Sequence, residues 1–399
     1  MRIAVDVSCW DNNRGFGRFT RELVGTMSRD DPLNDYVLLA DGPIAVAGLG
    51  PRTEVVQVAT ARQVISSATA DGRRGIGDVL AFRRAAARSG ADILFYPAVY
   101  SWFPPPRRMP NAVTFHDAIA EHFPELVFPG WRARSAWNLK TWLARKSADR
   151  ILTVSQAAKA EIERYLRIPG DSIDVICEGS APVFAPVIEA ARLAAARTRA
   201  FLSPDARFLV YVGGFAPHKN LARLFMALDT VLKQPATADL FLVMSGDPEG
   251  GGFLSIFDEL QALMQASPRL AARVLFPGYL SDADLAALYS QTVALVLPSL
   301  SEGFGLPALE AMSCGAPVLG AEGGAVMEVA GSAGLGFDPL DPASIAGAIA
   351  RIAGAPALRT RLAARAGPET ARNTWSQAAA LTVRSLETSL GRRRGGQGA

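Results

Sequence analysis

Short apolar runs alternate with amphipathic stretches along the whole chain, and clusters of glycine, proline and small polar residues separate them. Such runs predict buried parallel strands, here at 2–7, 36–40, 54–58, Ile93–Tyr96, Ala112–Phe115 and Ile151–Ser155, with a further strand ending at Gly179. The pattern then starts again, with strands at Phe208–Val212, 239–245, Val274–Phe276, Val293–Leu297, Ala316–Leu319 and 334–338. Helical spacing fills the intervals. It is read at Phe19, Leu23 and Val24, over 78–89, 131–150 and Ala157–Leu166, and in an Ala/Arg-rich stretch reaching about 201. Later helices are expected at Leu306–Ser313, 325–330, 342–353, 356–366 and 369–390. Strand-helix alternation in both halves predicts an α/β protein of two Rossmann-like, doubly wound domains. Pro182 and Pro186 mark an exposed connection, which sets the domains at 1–185 and 186–368. Residues 60–75 read as a mobile loop and 391–399 as a disordered basic tail.

The candidate chemistry centres on 293–324. The run Val293–Leu297 ends at Pro298, a polar loop with Gly303 and Gly305 follows, and a helix starts at Leu306 with Pro307 in its first turn. A loop after a parallel strand, leading into a helix N-terminus, is where such sheets take anionic ligands. Two carboxylates frame it, Glu302 in the loop and Glu310 inside an otherwise apolar helix. A carboxylate on that face needs a partner, and a ligand hydroxyl suits it. A second loop of this kind, G-G-F-A-P-H-K-N at 213–220, places Lys219 at a helix start, where an ammonium beside free N–H groups suits a diphosphate. In the first half, Gly15 and Gly17 are read as a tight loop before a helix, but the third glycine of the dinucleotide fingerprint is missing. His116 and Asp117 stand at the carboxyl end of the strand Ala112–Phe115, and Asp117 is a candidate to orient the imidazole. The pair Asp282 and Asp284 is not a metal motif, because Ser281 is a good N-cap and acids suit the first turn.

The stretch E-G-F-G-L-P-A-L-E at 302–310 resembles the signature of the retaining glycosyltransferases of family 4, which have the GT-B fold. G-F-G-R-F at 15–19, H-D at 116–117 and H-K-N at 218–220 stand in the matching order. The resemblance implies two Rossmann-like domains facing across a cleft, with the helix 369–390 crossing back onto the first. It also implies transfer of a hexose from a nucleotide-diphospho-sugar, with GDP-mannose suggested by relatives with a short H-K-N loop. By the same resemblance Glu310 binds the ribose hydroxyls, Glu302 the hexose hydroxyls, and Lys219 stabilises the departing diphosphate. His116 reaches the donor sugar. Ser299, Gly303, Phe304, Gly305 and Leu306 line the sugar and phosphate, Tyr279 and Leu280 lie near the base, and Gly15, Gly17 and Arg18 face the donor. Arg18 reads equally as a solvated helix-start arginine. Family members often carry an arginine where Gly213 and Gly214 stand, so backbone N–H groups or Arg18 replace a second cation. No cofactor or metal is implied, since Lys219 and the helix N-termini do the electrostatic work. The acceptor is a glycan or lipid-linked glycan, and the proline-rich 100–110 loop is either its support or a structural crossover.

Bulk properties narrow the alternatives. A chain of 399 residues suits two domains, and a net charge of +3 does not argue for nucleic acid. No apolar run approaches the roughly 18 residues of a membrane span, and the N-terminus enters a strand directly, without a signal-peptide pattern. Cys9, Cys177 and Cys314 form no metal spacing and read as thiols of a reducing cytosol. A cytoplasmic protein is expected, with one qualification. Trp131, Leu139, Trp142 and Leu143 share one face of the basic helix 131–150. That face either packs on the sheet or touches an anionic membrane. Three rivals are a UDP-sugar-dependent enzyme, a sugar-nucleotide epimerase, whose extra acid/base residues are not found, and a non-catalytic sugar-nucleotide-binding protein.

Overall fold

The computed structural model of the chain describes residues 1–12, 15–61, 74–247 and 254–395. The chain divides into two compact units, Met1–Glu178 together with Thr374–Ala399, and Gly179–Asn373. The first contains β1 (Arg2–Asp6), α1 (Gly15–Asp30), β2 (Asp35–Ala40), β3 (Thr53–Gln57), α2 (Ile76–Arg88), β4 (Ile93–Tyr96) and β5 (Asn111–Thr114). It continues with α3 (Ile119–His122), α4 (Pro124–Val127), α5 (Trp131–Ser147), β6 (Arg150–Thr153), α6 (Gln156–Leu166) and β7 (Ile173–Val175). The second opens with α7 (Ala190–Arg199), β8 (Phe208–Val212), α8 (Leu221–Val231), β9 (Phe241–Ser245), α9 (Phe257–Ala266), α10 (Pro268–Arg273) and β10 (Val274–Gly278). Next come α11 (Asp282–Tyr289), β11 (Ala294–Leu297), α12 (Leu306–Ser313), β12 (Val318–Ala321), α13 (Ala325–Ala330) and β13 (Gly334–Phe337). It closes with α14 (Pro342–Gly354), α15 (Pro356–Ala363) and α16 (Ala366–Ala371), and α17 (Trp375–Gly395) belongs to the first unit again.

Among the described residues each unit holds one all-parallel sheet. Their orders are β3-β2-β1-β4-β5-β6-β7 and β10-β9-β8-β11-β12-β13. Both are doubly wound, because strand order reverses after the first strand of each unit, between β1 and β4 and between β8 and β11. Strands covered on both faces must be apolar throughout, and β4 and β11 are buried at every position. The reversal leaves a crevice at the carboxyl ends of the two central strands, the usual ligand position in such sheets.

Several expected elements differ. Gly15 and Gly17 lie in the first turns of α1 rather than in a loop before it. Gly17 is required by contact, since a Cβ there would stand 2.0 Å from the Asn12 carbonyl oxygen. The strand expected to reach Gly179 ends at Val175. The single helix expected at 369–390 is two, α16 and α17, and the second runs through 391–395, which were read as tail. The expected loop at 60–75 lies mostly outside the described residues, as do 396–399. Within the first unit α17 is tied down by side chains. Ser376 Oγ donates to Asp30 at 2.7 Å, Ser385 Oγ to Asp174 at 2.6 Å, and the Trp375 ring meets Phe19. Ser281 does cap α11, accepting from the Asp284 N–H at 3.2 Å, and the Asp284 carboxylate pairs with Arg199.

Helix α5 settles an open point. The stripe of Trp131, Leu139, Trp142 and Leu143 does not pack on the sheet: the four are 73%, 58%, 46% and 38% exposed. The other face turns inward, through Trp137, Thr141 and Ala144. Trp137 is fixed by its indole N–H, which donates to Glu121 at 2.7 Å. Lys140 also turns inward, its ammonium donating to the Tyr100 carbonyl. Burial, and then the Arg74 charge, pull its pKa down to about 8.

Candidate active site

The second unit assembles its candidate residues at the carboxyl ends of β8 and β11, where strand order reverses. After β8 the chain passes Gly213 and Gly214 into a 3-10 turn, Pro217–Lys219, and Asn220 opens α8. Asn220 is buried in the left-handed region at φ 60°, a conformation asparagine tolerates better than most residues. Its amide donates to the Pro298 carbonyl at 3.0 Å and the Pro339 carbonyl at 2.7 Å. The His218 carbonyl accepts from the Leu300 N–H at 2.9 Å. These bonds bind the H-K-N turn to the loop after β11 and set Lys219 beside Glu302.

The Lys219 ammonium donates to Glu302 Oε1 at 2.7 Å, and Ser299 Oγ donates to the same oxygen at 2.6 Å. Burial pushes the Glu302 carboxyl up. The Lys219 charge, with hydrogen bonds from Lys219 and Ser299, outweighs burial and holds it below the usual carboxylate range. Glu302 is therefore an anion at neutral pH, paired with a cation. His218 is neutral there, because burial and then the Lys219 charge bring it down to about 4.

Gly305 caps α12 at φ 90°, a left-handed conformation that favours glycine. A Cβ at this position would also meet Val326 at 3.0 Å. Phe304 and Leu306 are buried against the unit. Glu310 is 3% exposed inside α12, and after burial its charge is what pushes the Cys314 thiol up, to about 12. Tyr279 is 72% exposed, whereas the adjacent Leu280 is buried. The glycines after β8 have different reasons. A side chain at Gly213 would stand 2.8 Å from the Tyr211 hydroxyl, which itself donates to the Gly214 carbonyl at 2.6 Å. A Cβ at Gly214 meets nothing within 4 Å. The phenol of Tyr211 thus occupies the space that an arginine at 213 would need.

The first unit places His116 just past β5, next to α1. Its Nε2 bonds the Pro97 carbonyl at 2.9 Å, and its ring stands edge-on to Phe19 at 4.6 Å. Burial brings the imidazole down to about 4, so it is neutral at pH 7 with the Nε2 proton on Pro97. The partner facing Nδ1 is Glu178, at 3.9 Å. Asp117 accepts instead from the Ile119 N–H at 3.0 Å, opening α3. Gly15 has open space where a side chain would be, and Arg18 is half-buried in the first turns of α1. The structure therefore gathers Lys219, Ser299 and Glu302 in one unit, and His116 beside the start of α1 in the other.

Two family models match this chain. "Glycosyltransferase Family 4" covers residues 15–180, and "Glycosyl transferases group 1" covers 195–367. Together they span most of both units. The chain belongs to the family 4 glycosyltransferases.

Among curated relatives of this family, the serotype-specific mannosyltransferase WbdA of Escherichia coli is 30% identical over 239 residues, 59% of this chain and 28% of that protein. The O-antigen chain mannosyltransferase B of Escherichia coli is 34% identical over 251 residues, 59% of each chain. The chain thus spans between about a quarter and three-fifths of these relatives' lengths. The fold is GT-B. The solved sucrose-phosphate synthase of Thermosynechococcus elongatus superposes with a TM-score of 0.74 at 20% identity, covering 98% of this chain and 100% of that one.

Two residues that hold the candidate groups in place were not singled out from the sequence. Asn220 has a signal in hindsight, an asparagine immediately before a helix and after a turn. Glu178 has none, since only the folding of the first unit brings the end of its chain segment to His116.

Proposed function

We propose that the protein is a retaining glycosyltransferase that moves mannose from GDP-mannose onto a hydroxyl of a glycan or lipid-linked acceptor, in polysaccharide or O-antigen-type synthesis. The observation that carries this reading is the Lys219–Glu302–Ser299 cluster at the strand-order reversal of the second unit. The similarity to two mannosyltransferases supports the choice of sugar. In this reading Lys219 meets the diphosphate and Glu302 the hexose hydroxyls. Glu310 takes the ribose hydroxyls, and exposed Tyr279 lies beside the base. Backbone N–H groups at Gly214 and at the start of α12 take part of the phosphate charge. His116, neutral and fixed through Pro97, presents its ring to the sugar. Leaving-group charge is met by Lys219 and the helix N-termini, which requires no metal in this scheme.

Incubation with a panel of GDP- and UDP-sugars and a mannose-terminated acceptor tests the reading. Release of GDP with transfer of mannose is expected. Turnover of a UDP-sugar alone would correct the donor. Binding of nucleotide sugars without turnover of any would replace the enzyme by a sugar-nucleotide-binding protein.

The outward face of α5 supports a contact with the inner face of the cytoplasmic membrane. Exposed Trp131, Leu139 and Leu143 alternate there with exposed Arg132 and Lys146, the composition of an interfacial helix. No described helix is long and apolar enough to cross a membrane. The protein is expected to sediment with anionic vesicles at low salt and to be released as salt rises. Arg132→Gln with Lys146→Gln should reduce the bound fraction several-fold, at about 1 kcal/mol per cation. Lys140 is half-buried, with its ammonium turned in to the Tyr100 carbonyl, and is not part of this surface. Absence of vesicle binding at low salt would return the face to ordinary surface.

A further inference from the structure

Sharing Leu139 and Trp142 with that exposed face, the first unit carries a cavity of about 500 Å³ between α3, α5 and α6. Its volume lies in the range of small-molecule sites, roughly 300–1,000 Å³. None of its lining residues belongs to the donor-site set. Glu121, Arg134, Asn138, Trp142, Arg145 and Tyr165 supply its polar and aromatic wall.

We propose that this cavity is a saccharide-binding site, which holds a hexose unit of the acceptor glycan away from the hydroxyl that is glycosylated. The proposal rests on the reading of the acceptor as a glycan.

The wall chemistry selects the ligand class. Glu121 uses one carboxylate oxygen, Oε1, to accept the Trp137 N–H at 2.7 Å. Asn138 offers an amide that both donates and accepts, and Arg134 offers a planar set of donors. Arg145 is anchored by donating to the Leu166 carbonyl. Tyr165 is held in place by stacking on His122, with ring centres 4.2 Å apart. Trp142 is different: among the described residues it stacks on no other ring, and it is 46% exposed at the cavity edge. A purely apolar ligand would strand these polar groups without partners. A phosphate would press further on the Glu121 carboxyl, which burial already pushes up to about 7, and would have to hold it protonated. A sugar meets neither objection. Its hydroxyls donate to Glu121 and Asn138 and accept from Arg134, and its C–H face covers the bare indole of Trp142. Location agrees, because α3 follows directly from His116 and Asp117, so Glu121 is on the connection that leaves a candidate donor-site residue.

The test is binding of α-linked mannose and glucose oligosaccharides to the full chain, followed by saturation-transfer NMR and by tryptophan fluorescence, with no donor present. One of the two series is expected to bind. Trp142→Ala and Asn138→Ala, both at exposed positions, should each raise its Kd by about tenfold or more. Calorimetric affinity for GDP should stay the same in both variants. With an oligosaccharide acceptor, KM should rise while kcat holds, and with a monosaccharide acceptor neither should move. The proposal is overturned if the wild-type chain binds neither series. It is also overturned if both variants bind as the wild type does. Binding without any sugar transfer would instead refute the proposed enzyme, since the binding arm needs no turnover.

Discussion

Lys219→Ala is expected to weaken donor binding by about 1.5–3 kcal/mol, the usual worth of a charge-assisted contact. That is roughly a tenfold to hundredfold rise in Kd, read by calorimetric titration of the nucleoside diphosphate. The structure adds a second consequence. Lys219 is what holds Glu302 ionised, since burial alone pushes that carboxyl up. A carboxyl with a depressed folded-state pKa keeps its contribution above the ordinary carboxylate range and loses it as pH falls through the depressed value. Without Lys219 the burial contribution remains and the pKa moves upward. The acid limb of kcat/KM should therefore shift to higher pH in the variant. Glu310→Ala should weaken nucleoside binding as well, without moving that limb, because Glu310 is not in the ion pair. Unchanged nucleotide affinity in both variants would overturn the placement of the donor site.

Glu302→Gln is expected to lower kcat by roughly 10²–10³-fold, the scale of losing one preorganised electrostatic group. It should do so without a change of stereochemistry. Retaining glycosidases use a carboxylate nucleophile about 5–5.5 Å from a second carboxyl group, and Glu302 is a tempting candidate. Its geometry argues otherwise. Oε1 already accepts from Lys219 at 2.7 Å and from Ser299 at 2.6 Å, which fixes the carboxylate as an ion-pair partner. Departure and attack on one face of the sugar suits this site better. In the proposed reaction the bond from the anomeric carbon to the diphosphate breaks, and the diphosphate leaves toward Lys219. The acceptor oxygen then bonds that carbon from the same side, while its proton passes to the diphosphate oxygen. Intact-mass and peptide mass spectrometry of the enzyme held with donor alone should find no glycosylated residue. A sugar-bearing peptide containing Glu302 would sink this mechanism. An inverted product in the NMR of the transferred sugar would remove retention itself.

Much was legible because local chemistry settles it. Parallel strands buried on both faces need continuous apolar runs, so Ile93–Tyr96 and Phe208–Val212 were read at their observed bounds. Pro307 in the first turn and Gly315 past the last marked α12, and its observed span is Leu306–Ser313. Ser281 signalled a cap, and it caps. Two doubly wound sheets followed from the repeated alternation of strand and helix. The candidate residues Lys219, Glu302 and His116 were visible as polar groups at strand ends, where a parallel sheet leaves its crevice.

What the sequence left open was decided by contacts between distant segments. Period alone put an apolar stripe and a mixed face on α5 and could not say which turns inward. Glu121 settles it by accepting the Trp137 N–H, which leaves Trp131 and Leu139 outside. Gly15 and Gly17 looked like a loop, because glycine opposes helix locally, yet both lie in α1, and at Gly17 the close approach of Asn12 makes glycine the residue that fits. Asp117 was next to His116 in sequence, but the group facing the imidazole is Glu178, brought from the end of β7 by the first unit's folding. The sequence by itself determined the alternation, the caps and the strand-end polar groups, because these depend on neighbours within a turn or two. The Lys219–Glu302 pair, joining residues far apart in the chain, needed the tertiary structure. It forms because a parallel sheet whose order reverses sets the ends of β8 and β11 side by side.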